Sequence, residues 1–559
     1  MSVAGDLAAE TDLQPQRANG RGRGQLPLWV PFFCGVWFVG FYVGAFPNFN
    51  FSEGAFIFLV PLTLWAAARP RWRVFLPVAF VSSWMAWSLI VVWLRHLPID
   101  WYAAWAAFLG LGLATGLIVM GWLVALRWAL PRALNLEWPL RILVLAGLSG
   151  GWVLLEWTRS WLLTGFPWLP LSAAFWENPL MLSLLPWTGS YGLSFVLVFF
   201  NLGLAAKVRQ LWPKVRRQPA EAGERPKRRR GLCPEFYAAL LLLVLGPFVG
   251  LLALGQDTPR GETLRVAFIQ PNIPAELKWD PQMVQQAWAS VRNKTRESMA
   301  AAPELILWPE TATPYPIQHY AQNAMQQRVE ELVADLEVPV MTGNLGRPSE
   351  DVLYNGVFVV TPEEGVLPDY QAKRKLVPFG EYAPLKGILP LDKVVPIPLD
   401  TTPGETAVLL EAAGVKFGAL VCYEDIFPQL ARELVLEGAQ MLYVATNNGW
   451  YGEEAGAYQH AASSVLRAAE LRRSVLRCGN NGWSGWIDET GRVRYVFLPD
   501  EGETIYAGGW SVVSVSRPAS GPGELTLYAR WGDWFVLLSA GLCLAGFWTV
   551  RLQRAQSGS

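Results

Sequence analysis

Three residues of this chain could carry out covalent chemistry together. Cys422 lies in Leu420-Val421-Cys422-Tyr423-Glu424, a thiol at the end of a buried-strand pattern and beside a carboxylate. Glu310 follows Leu305-Ile306-Leu307-Trp308-Pro309 and so emerges from an apolar strand into a proline-shaped turn. Partial burial there raises a carboxyl pKa toward the range useful for moving a proton. Lys373 lies in Tyr370-Gln371-Ala372-Lys373-Arg374-Lys375, where a fixed ammonium could lower a thiol pKa and stabilise an oxyanion. Each has a plain alternative: Glu310 as a solvated loop residue, Lys373 as a surface basic cluster, Cys422 as a small buried hydrophobe. Only the combination supplies a nucleophile, a base and a cation.

Other chemistries are poorly supplied. The five cysteines, Cys34, Cys233, Cys422, Cys478 and Cys543, show no Cys-x-x-Cys spacing, and His96, His319 and His460 form no cluster near them. No metal, disulfide framework or cofactor is expected.

The elements that must position these residues divide into two kinds. With 559 residues, 52% of them hydrophobic, and a mean hydropathy of +0.23, the chain is too apolar for an ordinary soluble protein. Apolar runs at about 28–46, 55–68, 74–94, 101–126, 142–155, 180–206, 236–254 and 534–550 are candidate membrane spans, the second and fifth being short. Basic residues cluster before the first span, between the second and third, between the fourth and fifth, within 207–230, and after the last. Only eight spans put every cluster on one side, which the positive-inside rule makes the cytoplasm. The 207–230 run is therefore read as topogenic rather than as a nucleic-acid patch. The expected organisation is a cytoplasmic tail at 1–27, seven spans within 28–255, an extracytoplasmic domain at 256–532, an eighth span at 533–551 and a tail at 552–559. Within 256–532, strand patterns at 264–270, 305–308, 338–342, 356–360, 417–422 and 441–445 alternate with helical patterns at 281–301, 322–337, 428–436 and 458–473. The expected fold class is an α-helical polytopic membrane domain plus a layered α/β domain with its site at strand ends.

Trp308-Pro309-Glu310, Lys373 with 376–381, and Cys422-Tyr423-Glu424 resemble the Glu-Lys-Cys motifs of the nitrilase, or carbon-nitrogen hydrolase, superfamily, whose fold is an α-β-β-α sandwich. Joined to eight spans, the chain resembles the apolipoprotein N-acyltransferase family. Gln270-Pro271-Asn272, Lys278-Trp279-Asp280, Thr164-Gly165-Phe166-Pro167-Trp168, Trp450-Tyr451-Gly452, Gln459-His460 and Tyr528-Ala529-Arg530-Trp531-Gly532-Asp533 extend the resemblance over most of the chain. Lys375 remains an alternative to Lys373, and Asn447-Asn448-Gly449 departs from the more usual Asn-Asp-Ala.

The resemblance implies an acyltransferase of the bacterial inner membrane with its catalytic domain on the periplasmic side. Cys422 would take an acyl chain from a membrane phospholipid, typically at the sn-1 position of phosphatidylethanolamine, and pass it to the α-amine of an S-diacylglyceryl apolipoprotein. Glu310 would serve as base and Lys373 as oxyanion partner, with the backbone N–H of Tyr423. Glu381 and Glu424 would hold Lys373 charged and oriented, or act as structural ion-pair partners. Trp279, Trp168, Trp450 and Tyr451 would line the acyl and head-group cleft, although with 29 tryptophans many must serve only as interfacial anchors. The apolar, proline-rich segment 384–403 is either an arm on the outer leaflet or a packing loop. A monomer is expected, and the triad alone also permits a membrane-tethered amidase.

Overall fold

The computed structural model describes residues 29–97, 99–211, 231–254, 262–274, 282–321, 323–382, 401–453, 455–498, 504–518 and 523–557, with Pro27 and Gly521. Among them, six helices are long and apolar enough to cross a membrane: Trp72–Ile90, Trp101–Ala133, Trp138–Arg159, Leu185–Leu211, Pro234–Leu254 and Trp534–Ser557. The first two expected spans form shorter helices, Trp29–Gly44 and Val60–Ala67, the latter preceded by the 3-10 turn Ser52–Phe56. At about 1.5 Å per residue, helices of 16 and 8 residues fall short of a hydrocarbon core of about 30 Å. The fifth expected span is in contrast a full 22-residue helix.

Small residues let these helices approach closely, because lipid supplies no hydrophobic drive and packing must come from backbone contact. A Cβ added at Gly150 would lie 2.5 Å from the Ser539 carbonyl oxygen, and one at Gly147 would lie 2.8 Å from that of Leu542, so helices 138–159 and 534–557 meet along a glycine seam. Gly112 and Gly116 make the same close approach to Ser88 and Trp84.

The α/β part occupies 262–518, between the helix ending at Leu254 and the one starting at Trp534. Its strands are β1 (Thr263–Gln270), β2 (Leu305–Trp308), β3 (Gln318–His319), β4 (Val340–Ser349), β5 (Val352–Thr361), β6 (Gly365–Ala372), β7 (Leu409–Ala412), β8 (Val415–Val421), β9 (Met441–Thr446), β10 (Val475–Gly479), β11 (Gly485–Ile487), β12 (Val493–Val496) and β13 (Gly509–Ser516). One sheet runs β13-β1-β2-β4-β5-β6, with β3 beside β4; the other runs β12-β11-β10-β9-β8-β7. The sheets pack face to face, tied by the Tyr443 hydroxyl donating to the Trp308 carbonyl and by the Cys478 thiol donating to the Ile269 and Leu307 carbonyls. Helices Val284–Ser298 and Ala324–Leu336 cover the first sheet through a core that includes Trp288, Val291, Trp308, Val329 and Val333. Helices Pro428–Leu436 and Gly456–Leu471 cover the second, and the latter also packs on the membrane helix Leu185–Leu211. The result is an α-β-β-α sandwich whose second helical layer rests on the membrane part.

Candidate active site

Glu310, Lys373 and Cys422 come from three strand ends: beyond β2, beyond β6 and beyond β8. All are buried, at 7%, 1% and 6% exposure. Cys422 does not end β8 as a strand residue; it opens the 3-10 turn Cys422–Ile426 with φ of 52°. That left-handed conformation is costly for a residue with a side chain and persists only where the surroundings enforce it. It is enforced here on both sides. Glu424 accepts hydrogen bonds from the amides of Val421, Arg374 and Lys375, at 2.9, 2.7 and 3.0 Å, which pins the turn to the segment after Lys373. His460 Nε2 lies 3.2 Å from the Cys422 carbonyl oxygen.

Lys373 Nζ donates to Glu381 at 2.9 Å and to Glu310 at 3.4 Å. Asn355, on β5, donates from Nδ2 to the same two carboxylates, at 2.9 and 2.8 Å, and its backbone carbonyl accepts from the Lys373 amide. Glu381 also accepts from the amide of Val377. Of the two acids expected either to orient the lysine ammonium or to act as structural partners, each takes a different one of these places. Glu381 touches the ammonium, whereas Glu424 bonds to backbone amides and shapes the turns around it. The Lys375 ammonium lies instead over the Phe427 ring, 5.0 Å from its centroid.

The charge balance follows from burial. Burial pushes the Cys422 thiol up to about 12, reinforced by Glu310 and opposed by Lys373, by the Thr446 hydroxyl at 3.4 Å and by the Asn447 amide. Burial works against the Lys373 ammonium too, but Glu381, Glu310 and Cys422 together outweigh it and raise its pKa. At neutral pH the cluster therefore holds a protonated thiol beside a fixed cation. Such a thiol is ionised only to a small fraction, so attack on an unactivated ester calls for a base that takes its proton, whereas a reactive alkylating agent simply reads the thiolate fraction.

Behind the thiol lies a second buried set. Asp425 accepts from His460 at 2.7 Å, from Ser464 at 2.5 Å and from Arg477 at 2.5 Å. Burial opposes its ionisation, yet His460 and Arg477 prevail and hold its carboxyl below the ordinary value. Arg467 donates to the Asp425 and Ile426 carbonyls and pairs with Glu470, which accepts from the amide of Ser190 at the kink of a membrane helix. The Cys422–Ile426 turn is thereby bonded through to the membrane part.

Aromatic residues cover the same junction. Trp168 and Trp93 both donate to Gln459 Oε1, at 2.9 and 3.2 Å, and Trp93 packs edge-on to Tyr451 with centroids 4.5 Å apart. Trp168 lies 5.7 Å from the His460 ring, and the Tyr423 hydroxyl donates to the Gly165 carbonyl at 3.2 Å. Trp450 is half-buried beside this group. Trp279 and most of the 384–403 segment lie outside the described residues. Asn355, Trp93 and Arg477 were missed from sequence. A polar residue inside each of the apolar runs at 352–361 and 475–479 was the available signal for Asn355 and Arg477; a single tryptophan among 29 gave none for Trp93.

Residues 265–509 match the Carbon-nitrogen hydrolase family and residues 39–203 match the Apolipoprotein N-acyltransferase N-terminal domain. Curated relatives named apolipoprotein N-acyltransferase include one from Geobacter metallireducens, 30% identical over 90% of this chain and 91% of the relative. Another, from Azotobacter vinelandii, is 31% identical over 79% of this chain and 81% of the relative. This chain belongs to the apolipoprotein N-acyltransferase family. Membership makes it a multi-pass membrane acyltransferase of the carbon-nitrogen hydrolase superfamily. Among solved structures, an amidase from Nesterenkonia sp. is 18% identical and matches 50% of this chain and 97% of its own, with a TM-score of 0.36.

Proposed function

We propose that this family member transfers an acyl chain from a membrane phospholipid to the α-amine of an S-diacylglyceryl apolipoprotein, through a thioester on Cys422. The observation that carries this reading is the buried Glu310, Lys373 and Cys422 cluster at an aromatic junction with membrane helices. In the first half-reaction Glu310 takes the thiol proton as sulfur attacks the ester carbonyl, and Lys373 with the Tyr423 N–H stabilises the oxyanion. The proton returns to the departing lysophospholipid alcohol. In the second, Glu310 deprotonates the attacking amine, the amide C–N bond forms as the thioester C–S bond breaks, and the proton passes from Glu310 to the Cys422 sulfur, which restores the thiol. A covalent intermediate lets the two lipid substrates use the site in turn. Asn355 and Glu381 hold the base and the ammonium in a fixed relation throughout.

Topology belongs to the same reading: the 256–532 domain faces the periplasm, both termini face the cytoplasm, and the two short helices, extended by their flanking turns, complete eight spans. Trp168, Tyr451, Trp450 and Trp279 line the route of the acyl chain. The test is mass spectrometry of the purified protein in phosphatidylethanolamine. An added fatty-acyl mass on the Cys422 peptide, labile to hydroxylamine and discharged by a diacylglyceryl lipopeptide, is the expected result. No adduct, with hydrolysis of small amides instead, would favour a membrane-tethered amidase.

A further inference from the structure

Thr446 ends β9 between the strand ends that carry the triad: its backbone carbonyl accepts from the amides of Glu310 and Asn480. Its single hydroxyl hydrogen has two acceptors within reach, Cys422 Sγ at 3.4 Å and Asn448 Oδ1 at 3.4 Å. It can serve one fully. Which one depends on the direction of the Asn448 amide, and the neighbouring ring decides that. His460 Nε2 faces two acceptors, the Cys422 carbonyl and the Asp425 carboxylate, so this nitrogen carries the proton. Burial and Arg477 disfavour a second proton on the ring. His460 Nδ1 is then an acceptor, and an acceptor 3.2 Å from an amide oxygen is repelled by it. In that orientation Asn448 Nδ2 is buried with no partner, a costly arrangement for a group with two N–H donors. Turning the amide by half a rotation removes the repulsion and gives the N–H donors their acceptors; the oxygen takes the unpartnered place instead, and an under-satisfied carbonyl is tolerated more readily than an orphaned N–H. Its nitrogen then donates to His460 Nδ1 and to Thr446 Oγ1.

We infer that the Asn448 amide presents its nitrogen to Thr446, which commits the Thr446 hydroxyl hydrogen to Cys422 Sγ and makes Thr446 a donor to the thiolate formed during attack. The chain of direction runs from Asp425 through His460 and Asn448 to Thr446 and the sulfur, and every member is at most 6% exposed. The inference rests on Cys422 being the nucleophile, and Thr446 is a positioning residue that stabilises its charged form. Such a donor adds to the Asn447 amide on the sulfur. Other groups that face the sulfur electrostatically are Glu310, Lys373 and Tyr451, with Asp425 and Arg477 behind the His460 ring.

The test is alkylation of Cys422 by iodoacetamide across a pH series, read on the Cys422 peptide of the full-length purified protein. Thr446→Val keeps the shape and removes the hydroxyl; the rate at neutral pH is expected to fall about tenfold, a one-unit rise in apparent thiol pKa. Thr446→Ser is expected to restore the rate to within about twofold, since the hydroxyl is what matters. Asn448→Asp, which cannot donate to Thr446, is expected to slow alkylation by drawing the hydroxyl hydrogen away from sulfur, and adding Thr446→Val to it should cost little more. Equal rates in wild type and Thr446→Val, or a serine variant as slow as the valine one, would overturn the role of Thr446. A full further tenfold loss in the double variant would overturn the role of Asn448. Because alkylation needs no phospholipid, these outcomes are separable from a failure of the acyl-transfer reading, which would show as a missing acyl adduct on a normally alkylated Cys422.

Discussion

Burial is the main force on the chemistry of Cys422, and it opposes a resting thiolate. With its thiol pushed up to about 12, the fraction ionised rises about tenfold per pH unit through the neutral range. Glu310 has two opposed effects on this thiol. Its negative charge raises the thiol pKa, yet in the proposed mechanism it is the group that removes the proton. Glu310→Gln is therefore expected to speed alkylation of Cys422 by a small electrophile while slowing acyl transfer by about 10²-fold or more, and parallel measurement of the two rates checks it. On the same proposal Lys373→Met changes both in one direction: the thiol pKa rises further, and turnover is expected to fall by roughly 10² to 10³ with loss of the proposed oxyanion partner. Glu310 and Cys422 are legible in the sequence because each follows an apolar run, whereas Lys373 follows the half-exposed β6 and is picked out only by the motif around it. Asn355 escaped because its role is to bridge two carboxylates that lie 45 and 26 residues away, and such a contact leaves no local pattern.

Strands with strong apolar runs, such as β1, β2 and β9, were legible within one or two residues, because burial on both faces dictates their composition. β6, β12 and β13 were not, since their half-exposed residues blur the period-two signal. Arg477 shows how far tertiary context overrides composition: an arginine with no exposure occupies the middle of β10 because Asp425 and Ser464 receive it. Arg477→Met leaves Asp425 buried with less compensation and is expected to lower stability by about 3–5 kcal/mol, readable as a drop in the thermal unfolding midpoint in detergent. Adding Asp425→Asn is expected to recover part of that loss, because a neutral amide costs less to bury than a carboxylate. Among the membrane helices the outcome is closer to composition: the apolar run 28–46 is expected as a span, and the described helix covers Trp29–Gly44 of it.

For the molecule as a whole, the proposed orientation makes a direct prediction. Four of the five native cysteines are buried, so an introduced cysteine is the dominant target of a membrane-impermeant maleimide. Glu350→Cys, on the exposed turn between β4 and β5, is expected to be labelled in intact spheroplasts, and Glu221→Cys only after the membrane is opened. The reverse pattern would invert the topology. Both ends of the α/β sandwich run into helices that pack along the bilayer, one through Leu254 and one through Trp534, and the 534–557 helix is locked to 138–159 by its glycine seam. In the proposed orientation the Cys422 site is thus held at a constant height on the membrane and does not lift off to sample the bulk. For substrates that diffuse laterally, the encounter rate then follows their crowding within the sheet of lipid and not their amount per litre. Adding inert detergent or non-substrate lipid at constant total substrate is expected to slow turnover in proportion to the two-dimensional dilution.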